Sequence, residues 1–119
     1  MSAVAKSAPL ADAAAARVDG YDWARLAAEL DEQGNAVLEG LLSAEECLEV
    51  AALYDEEVHF RSHIHMARHG FGKGEYRYFR YPLPDLVADM RTALYPMLAS
   101  VANDWNARMG EEARYPERH

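Results

Sequence analysis

The sequence has little or none of three features: cysteine, long apolar runs, and histidines that are followed two residues later by a carboxylate. The single cysteine, Cys47, excludes an internal disulfide bond and fits a reducing compartment. No run of about 18 apolar residues occurs, so no membrane-spanning helix and no membrane partner are predicted. The N-terminal residues lack the leucine-rich core of a secretory signal, and a cytoplasmic location is therefore the default expectation.

The length and the charge of the chain limit its fold and its partners. With 119 residues it forms one domain at most, and residues 21–119 can build one modest core. We expect residues 1–20 to be a flexible, alanine-rich tail that offers no face to bury. The net charge of −8 argues against a protein that coats nucleic acid nonspecifically, although it allows a local basic groove.

One stretch, residues 59–82, differs in charge from the rest of the chain. It contains four of the five histidines, six aromatic residues, and five cations against a single acid, Glu75. Its local charge is therefore +4, and because the whole chain carries −8, the other residues sum to −12. This contrast predicts a contact surface for an anionic partner. The five cations are Arg61, Arg68, Lys73, Arg77 and Arg80.

Three helices are predicted from apolar residues that recur every three or four positions. Asp22 is a suitable N-cap for the first helix, and Gly34 is a suitable residue to end it. Ser43 and Glu46 form a capping box at the start of the second helix, whose inner face is predicted to bury Cys47. The predicted helices span residues 22–33, 44–55 and 84–109.

Three short segments between turn signals are predicted to be strands. A bounded apolar run indicates the first strand, and alternation with a period of two indicates the others. The glycine-rich loop 68–74 then joins the second and third strands into a hairpin. We therefore expect an α+β fold in which three helices pack on a small, incomplete antiparallel sheet. The predicted strands span residues 35–42, 60–67 and 75–81.

His63 and His65 are weak candidates for metal ligands. Alternation along a strand places both imidazoles on one face, and two such side chains can chelate a transition metal. No third ligand is visible, because no histidine is followed two residues later by Asp or Glu. Two interpretations remain, a weak metal site and a pair of structural or substrate-facing histidines, and the missing ligand favours the second.

The glycine-rich loop and the strand after it suggest contact with a phosphate-bearing partner. Residues 70–74 lack the spacing of a dinucleotide-binding loop, so they are either a flexible lid over a site or a plain hairpin loop. Arg77, Tyr78 and Arg80 are of the types that contact phosphates and stack on bases. The same alternation of aromatic and cationic residues is also typical of an ordinary half-exposed strand.

Two blocks of the sequence carry a family resemblance. They are DGYDWARLAAELDEQGNAVLEGLLSAEEC and SHIHMARHGFGKGEYRYFRYPLPDLVADMRTALYP. Both are similar to bacterial 2-oxoglutarate/Fe(II)-dependent oxygenases that are called prolyl 4-hydroxylase-like and are grouped with oxygenases of damaged nucleic acid and DNA repair. The resemblance covers residues 18–119.

This resemblance implies a double-stranded β-helix that holds Fe(II) through His-x-Asp and a later histidine, with a basic residue for 2-oxoglutarate. The sequence contains no such motif. The chain is therefore expected to be the N-terminal part of such an oxygenase, truncated before the catalytic barrel, with no cofactor and no catalytic residue of its own. A substrate-side role is carried over for His63, His65, Arg68, Lys73, Arg77, Tyr78 and Arg80.

Two functional hypotheses follow from the residues and the resemblance. In the first, the chain is a fragment of a dioxygenase whose full-length relatives hydroxylate or demethylate a substrate such as damaged nucleic acid. In the second, it is a non-catalytic module that binds an anionic partner through the basic aromatic hairpin 61–81. The coding sequence after residue 119 discriminates between them: an open frame that encodes His-x-Asp favours the first, and a stop codon with soluble, folded protein favours the second.

Overall fold

The computed structural model describes residues 13–119, which contain four α-helices and one two-stranded antiparallel sheet. The α+β prediction is therefore confirmed, with one helix more and one strand fewer than expected. None of the four helices is long and apolar enough to cross a membrane. The elements are α1 (13–19), α2 (Trp23–Gln33), α3 (Ala44–Ala52), β1 (Phe60–His65), β2 (Glu75–Phe79) and α4 (Asp85–Arg108).

The chain divides into two compact units, each of which is described by itself. The first unit combines residues up to Leu41 with residues from Asp85 onward, and it contains α1, α2 and α4. The second unit, Leu42–Pro84, contains α3 and the hairpin of β1 and β2. All the predicted site residues lie in this second unit.

Helix α1 differs from the flexible tail that was expected over residues 1–20. Within it, Ala14 and Val18 are 2% and 0% exposed and are part of the hydrophobic core of the first unit. The indole Nε1 of Trp23 donates a 2.7 Å hydrogen bond to the carbonyl oxygen of Val18 and so ties α1 to the start of α2. The alanine-rich segment thus has an apolar face, because Ala14 and Val18 are four residues apart on one side of a helix. Residues 1–12 lie outside the described part of the chain.

Helices α2 and α4 form as their sequence signals predict. The Asp22 side chain accepts a hydrogen bond from the backbone N–H of Arg25, and Gly34 ends α2 in the left-handed conformation at φ 78°. Leu26, on the apolar stripe of α2, is fully buried. Asp31 of α2 accepts hydrogen bonds from Trp105 and Arg108 of α4, which connects the two helices within the first unit.

The strand predicted at residues 35–42 is wrong, because this segment is irregular and contains a turn. Gly40 has φ 70°, and the N–H of Leu41 donates to the carbonyl oxygen of Leu38. Side chains of the first unit bind two other carbonyl oxygens: Tyr21 donates to Glu39, and Arg17 donates to Leu41. Side-chain donors therefore satisfy the carbonyl oxygens of Glu39 and Leu41, which a neighbouring strand would otherwise have to pair.

Helix α3 begins at the predicted capping box but buries less than expected. The Ser43 hydroxyl accepts from the N–H of Glu46, and the Glu46 carboxylate accepts from the N–H of Ser43. The α-helix ends at Ala52, and residues 53–55 continue as a 3-10 turn. No residue of α3 is buried, and the prediction that Cys47 is a core residue is wrong because its side chain is exposed.

Strands β1 and β2 form the predicted hairpin, although both end earlier than expected. They pair in antiparallel register with a bulge between Phe60 and Ser62. The loop that was predicted at 68–74 begins with a 3-10 turn, Met66–His69, which ends at Gly70 in the left-handed conformation at φ 74°. The N–H of Met66 donates a 2.8 Å hydrogen bond to the carbonyl oxygen of Gly74 and closes the connection.

Candidate functional site on the β-hairpin

The strand register sorts the hairpin side chains onto two faces. His63 lies opposite Arg77, and His65 lies opposite Glu75, so these four side chains share one face, called here the imidazole face. Ser62, Ile64, Tyr76 and Tyr78 share the other, called here the tyrosine face. The bulge at Arg61 shifts the register by one residue, which returns Phe60 to the imidazole face opposite Phe79.

Two imidazoles and one carboxylate meet on the imidazole face. The Nε2 atom of His63 lies 2.7 Å from Oε2 of Glu75, and Nδ1 of His65 lies 4.0 Å from Oε1 of the same residue. The two imidazole rings are 4.2 Å apart between centroids. One ligand atom from each side chain can be chosen so that all three lie within 4.8 Å of one another. The hairpin thus brings Glu75, which lies ten and twelve residues after the two histidines in the sequence, next to both of them across the turn.

A tyrosine outside the hairpin holds the carboxylate in place. The hydroxyl of Tyr54 donates a 2.9 Å hydrogen bond to Oε2 of Glu75. Hydrogen bonds from Tyr54 and then from His63 lower the pKa of Glu75 below its ordinary value. Glu75 is therefore ionised at neutral pH, in the form that accepts from donors and binds cations. Partial burial, followed by the hydrogen bond to Glu75, raises the pKa of Tyr54 and keeps its hydroxyl protonated.

Arg77 belongs to the framework of the hairpin. Its Nη1 atom donates a 2.8 Å hydrogen bond to the carbonyl oxygen of Tyr54, and its guanidinium lies 4.7 Å from the centroid of the Tyr54 ring. Phe60, which is 9% exposed, packs beside it at 5.5 Å from the guanidinium and stacks on Phe79 at 5.0 Å between centroids. These contacts join β1, β2 and the turn after α3 into one packed cluster.

The tyrosine face is aromatic and open to solvent. Tyr76 and Tyr78 are 40% and 48% exposed, and their rings meet edge to face at 5.5 Å between centroids. The guanidinium of Arg61 lies 5.1 Å from the centroid of the Tyr78 ring, in the range of a cation–π contact. An exposed aromatic pair beside a cation is able to stack on a flat, electron-rich group and to pair with a negative charge next to it.

The remaining predicted site residues lie around the edges of the hairpin. Arg68 and Lys73 are exposed in the connection between the strands, and Arg80 is exposed just after β2. The structure therefore brings His63 and His65 together and places Arg77 beside them, whereas Tyr78 lies on the opposite face. The predicted residues are therefore divided among the imidazole face, the tyrosine face and the edges of the hairpin, and do not form one surface.

Glu75 and Tyr54 are the residues that the sequence-based reasoning missed. The search for a carboxylate two residues from a histidine excluded Glu75, which lies ten positions after His65. The predicted hairpin nevertheless indicated that Glu75 and His65 are neighbours. Residues at equal distances before and after a hairpin connection face each other across the antiparallel strands. No local pattern singles out Tyr54, because it reaches Glu75 only through the packing of the turn after α3.

Comparison with known proteins gives one family match. A family model described as an oxygenase that catalyses oxidative methylation of damaged DNA matches residues 74–119, which contain β2 and α4. The match covers less than half of the chain and supports an oxygenase family with a role in damaged DNA. No curated protein and no solved structure matches the chain.

Proposed function

We propose that this chain is the N-terminal portion of a 2-oxoglutarate/Fe(II)-dependent oxygenase that acts on damaged DNA, and that its tyrosine face contacts the nucleic acid. The observation that carries this proposal is the family match over residues 74–119, which begins at the strand that holds Tyr76 and Tyr78. The sequence resemblance to such oxygenases extends the same assignment to residues 18–119.

The chemistry of the tyrosine face supports nucleic acid as the partner. Bases stack on exposed aromatic rings regardless of sequence, and each such contact contributes about 1–3 kcal/mol. Arg61, which lies against the Tyr78 ring, supplies a positive charge where a phosphate of the same strand would pass. Arg68, Lys73 and Arg80 are exposed at the edges of the hairpin and extend the positive charge beyond the aromatic pair.

The iron site that the resemblance implies does not fit the residues of this chain. That site uses His-x-Asp, and no histidine in the sequence is followed two residues later by a carboxylate. The carboxylate that approaches two imidazoles, Glu75, comes from the neighbouring strand. Arg77, the cation next to these imidazoles, is already bound to the carbonyl oxygen of Tyr54. In the proposal, the ligands for Fe(II) and 2-oxoglutarate therefore belong to a C-terminal catalytic region outside these 119 residues.

The test is the binding of a fluorescently labelled single-stranded DNA oligonucleotide, followed by anisotropy at several salt concentrations. We expect weak binding that falls steeply with salt, because phosphate contacts release counterions. Replacing both Tyr76 and Tyr78 by Ala should weaken binding about tenfold or more, since two stacking contacts are lost. Replacing Tyr115, an exposed tyrosine of the first unit, by Ala is the matched control and should leave the affinity unchanged.

The contribution of charge is tested separately. The change Arg61→Gln should weaken binding uniformly across sequences and reduce the salt slope by about 1, as expected for one phosphate contact. Arg25→Gln removes an exposed arginine of the first unit and should change neither the affinity nor the slope. If the double tyrosine variant and Arg61→Gln both bind DNA as the unchanged chain does, the tyrosine face is not the contact surface.

A further inference from the structure

We propose that His63, His65 and Glu75 form a binding site for a divalent transition-metal ion of the Zn²⁺, Co²⁺ and Ni²⁺ class. Within residues 13–119, these three side chains each offer one ligand atom, and the three atoms lie within 4.8 Å of one another. The site involves the imidazole face, whereas the proposed DNA contact involves the tyrosine face.

The distances require only small side-chain movements on binding. An ion with four ligands at about 2.1 Å separates its ligand atoms by about 3.4 Å. The 2.7 Å between Nε2 of His63 and Oε2 of Glu75 must therefore lengthen slightly, whereas one choice of ligand atoms, one from each residue, already has all its separations within 4.8 Å. Rotations of exposed side-chain torsions supply such changes, and the backbone positions stay as the strand register fixes them.

The ligand types select the class of metal. Neutral imidazole nitrogens suit Zn²⁺, Co²⁺ and Ni²⁺, and one carboxylate adds a negative charge that partly neutralises the ion. Mg²⁺ and Ca²⁺ prefer sets made only of oxygen ligands, so they should not compete at this site. Three protein ligands leave at least one position for water. The imidazoles of His63 and His65 are 30% and 41% exposed, which lets solvent reach that position.

The carboxylate is prepared for this role before the metal arrives. Tyr54 donates a hydrogen bond to Oε2 of Glu75, and ligands oriented by such outer contacts bind metals more tightly. Nε2 of His63 also lies 2.7 Å from Oε2 of Glu75, so two of the proposed ligand atoms are already adjacent without the ion. Arg77, a cation on the same face, is held against the Tyr54 ring and carbonyl, and its positive charge limits the affinity of the site.

The experiment is a titration of the whole 119-residue chain with Co²⁺, followed by its visible absorption, and with Zn²⁺, followed by calorimetry. We expect one ion to bind per chain and Zn²⁺ to displace Co²⁺. Each of the changes His63→Ala, His65→Ala and Glu75→Gln should weaken Zn²⁺ binding about tenfold or more, because each removes one of three bonds. Mg²⁺ and Ca²⁺ should produce no signal in the same titration.

The chain offers a matched control in His59 and Glu56. Their side chains also form a histidine–carboxylate pair at 2.8 Å, and the His59 imidazole is 32% exposed, close to the 30% of His63. This pair has no second imidazole in the ligand group. The change His59→Ala should therefore leave the Zn²⁺ dissociation constant unchanged, as should replacement of the exposed His69 in the turn.

A measurement on the unchanged chain covers the case in which a variant fails to fold. In NMR spectra, Zn²⁺ should shift the imidazole resonances of His63 and His65 and leave those of His59 and His69 in place. Unchanged Zn²⁺ affinity in all three ligand variants overturns the proposal, and so does a Zn²⁺-induced shift confined to other histidines. Neither readout contains DNA, so a failed metal site and a failed DNA contact are recognised independently.

Discussion

The guanidinium of Arg77 lies 4.7 Å from the centroid of the Tyr54 ring and donates a 2.8 Å hydrogen bond to the carbonyl oxygen of the same residue. A single arginine on β2 thereby binds both the ring and the backbone of the turn that follows α3. The Nε atom of Arg77 is buried and has no hydrogen-bond partner, so its side chain is committed to this packing at some cost.

Replacing Arg77 by Ala should destabilise the second unit by about 2 kcal/mol, because a charge-assisted hydrogen bond and a cation–π contact are both lost. Hydrogen exchange of the β1 and β2 backbone amides measures the effect in the hairpin itself. Arg80→Ala, which removes an exposed arginine of the same hairpin, is the control and should leave the exchange rates unchanged. Equal protection in both variants would show that the Arg77 contacts do not hold the hairpin.

Because Arg77 packs against Tyr54, a double change of Arg77 and Arg80 to Ala is a poor test of DNA binding. Any loss of affinity in that variant could come from lost packing of the hairpin.

The capping box of α3 gives a second prediction. Ser43→Ala removes the acceptor for the backbone N–H of Glu46 and should lower the free energy of unfolding by about 1 kcal/mol. Thermal unfolding followed by far-ultraviolet circular dichroism measures the loss. Glu49→Gln, at an exposed position of the same helix, serves as the control. A variant as stable as the unchanged chain would mean that water replaces the cap at no cost.

The contact between α2 and α4 predicts a pH dependence of stability. Hydrogen bonds from Trp105 and then from Arg108 lower the pKa of Asp31 below its ordinary value of 3.8. A carboxylate with a lowered pKa in the folded state stabilises the fold above its ordinary pKa, and this contribution is lost as the pH falls through the folded value. Asp31→Asn should therefore lower the melting temperature at neutral pH, and the difference from the unchanged chain should shrink as the pH falls below the ordinary carboxyl pKa of 3.8.

The sign of this effect separates it from a general loss of packing. Suppose that Asp31→Asn lowers the melting temperature by the same amount in acid as at neutral pH. That result would exclude the ionised carboxylate of Asp31 as the source of the difference. Glu32→Gln changes the neighbouring acid of α2, which is exposed, and should give the same pH profile as the unchanged chain.

The chain by itself should be catalytically silent as an oxygenase. With Fe(II), 2-oxoglutarate, ascorbate and O₂, we expect no succinate above a metal-only blank. The physical reason is that 2-oxoglutarate needs a cation beside the metal, and Arg77, the cation next to His63, is bound to Tyr54. Succinate formation that disappears when both His63 and His65 are changed to Ala would contradict this prediction. It would also mean that the imidazole face holds a working iron site.

The sequence predicts much of the local structure because local signals need no distant partner. Asp22 and Gly34 mark the ends of α2, Ser43 and Glu46 begin α3, and these features form as predicted because each is satisfied within a few residues. The prediction fails where distant side chains take over the backbone. The pattern of residues 35–42 predicts an apolar strand, but the segment is irregular, and Tyr21 and Arg17 bind the carbonyl oxygens of Glu39 and Leu41 within it.

The candidate site shows the same division. By itself, the sequence determined that His63 and His65 share a strand face and that cations and tyrosines surround them, since alternation along a strand is a property of the backbone. Only the tertiary structure decided that Glu75 is the third donor and that Tyr54 holds it. The separation of Tyr78 from the imidazoles was also decided there, because the pairing of the two strands across the turn places His63 opposite Arg77 and Ser62 opposite Tyr78. A one-residue slip of that register would exchange the two faces of a strand and dismantle both surfaces.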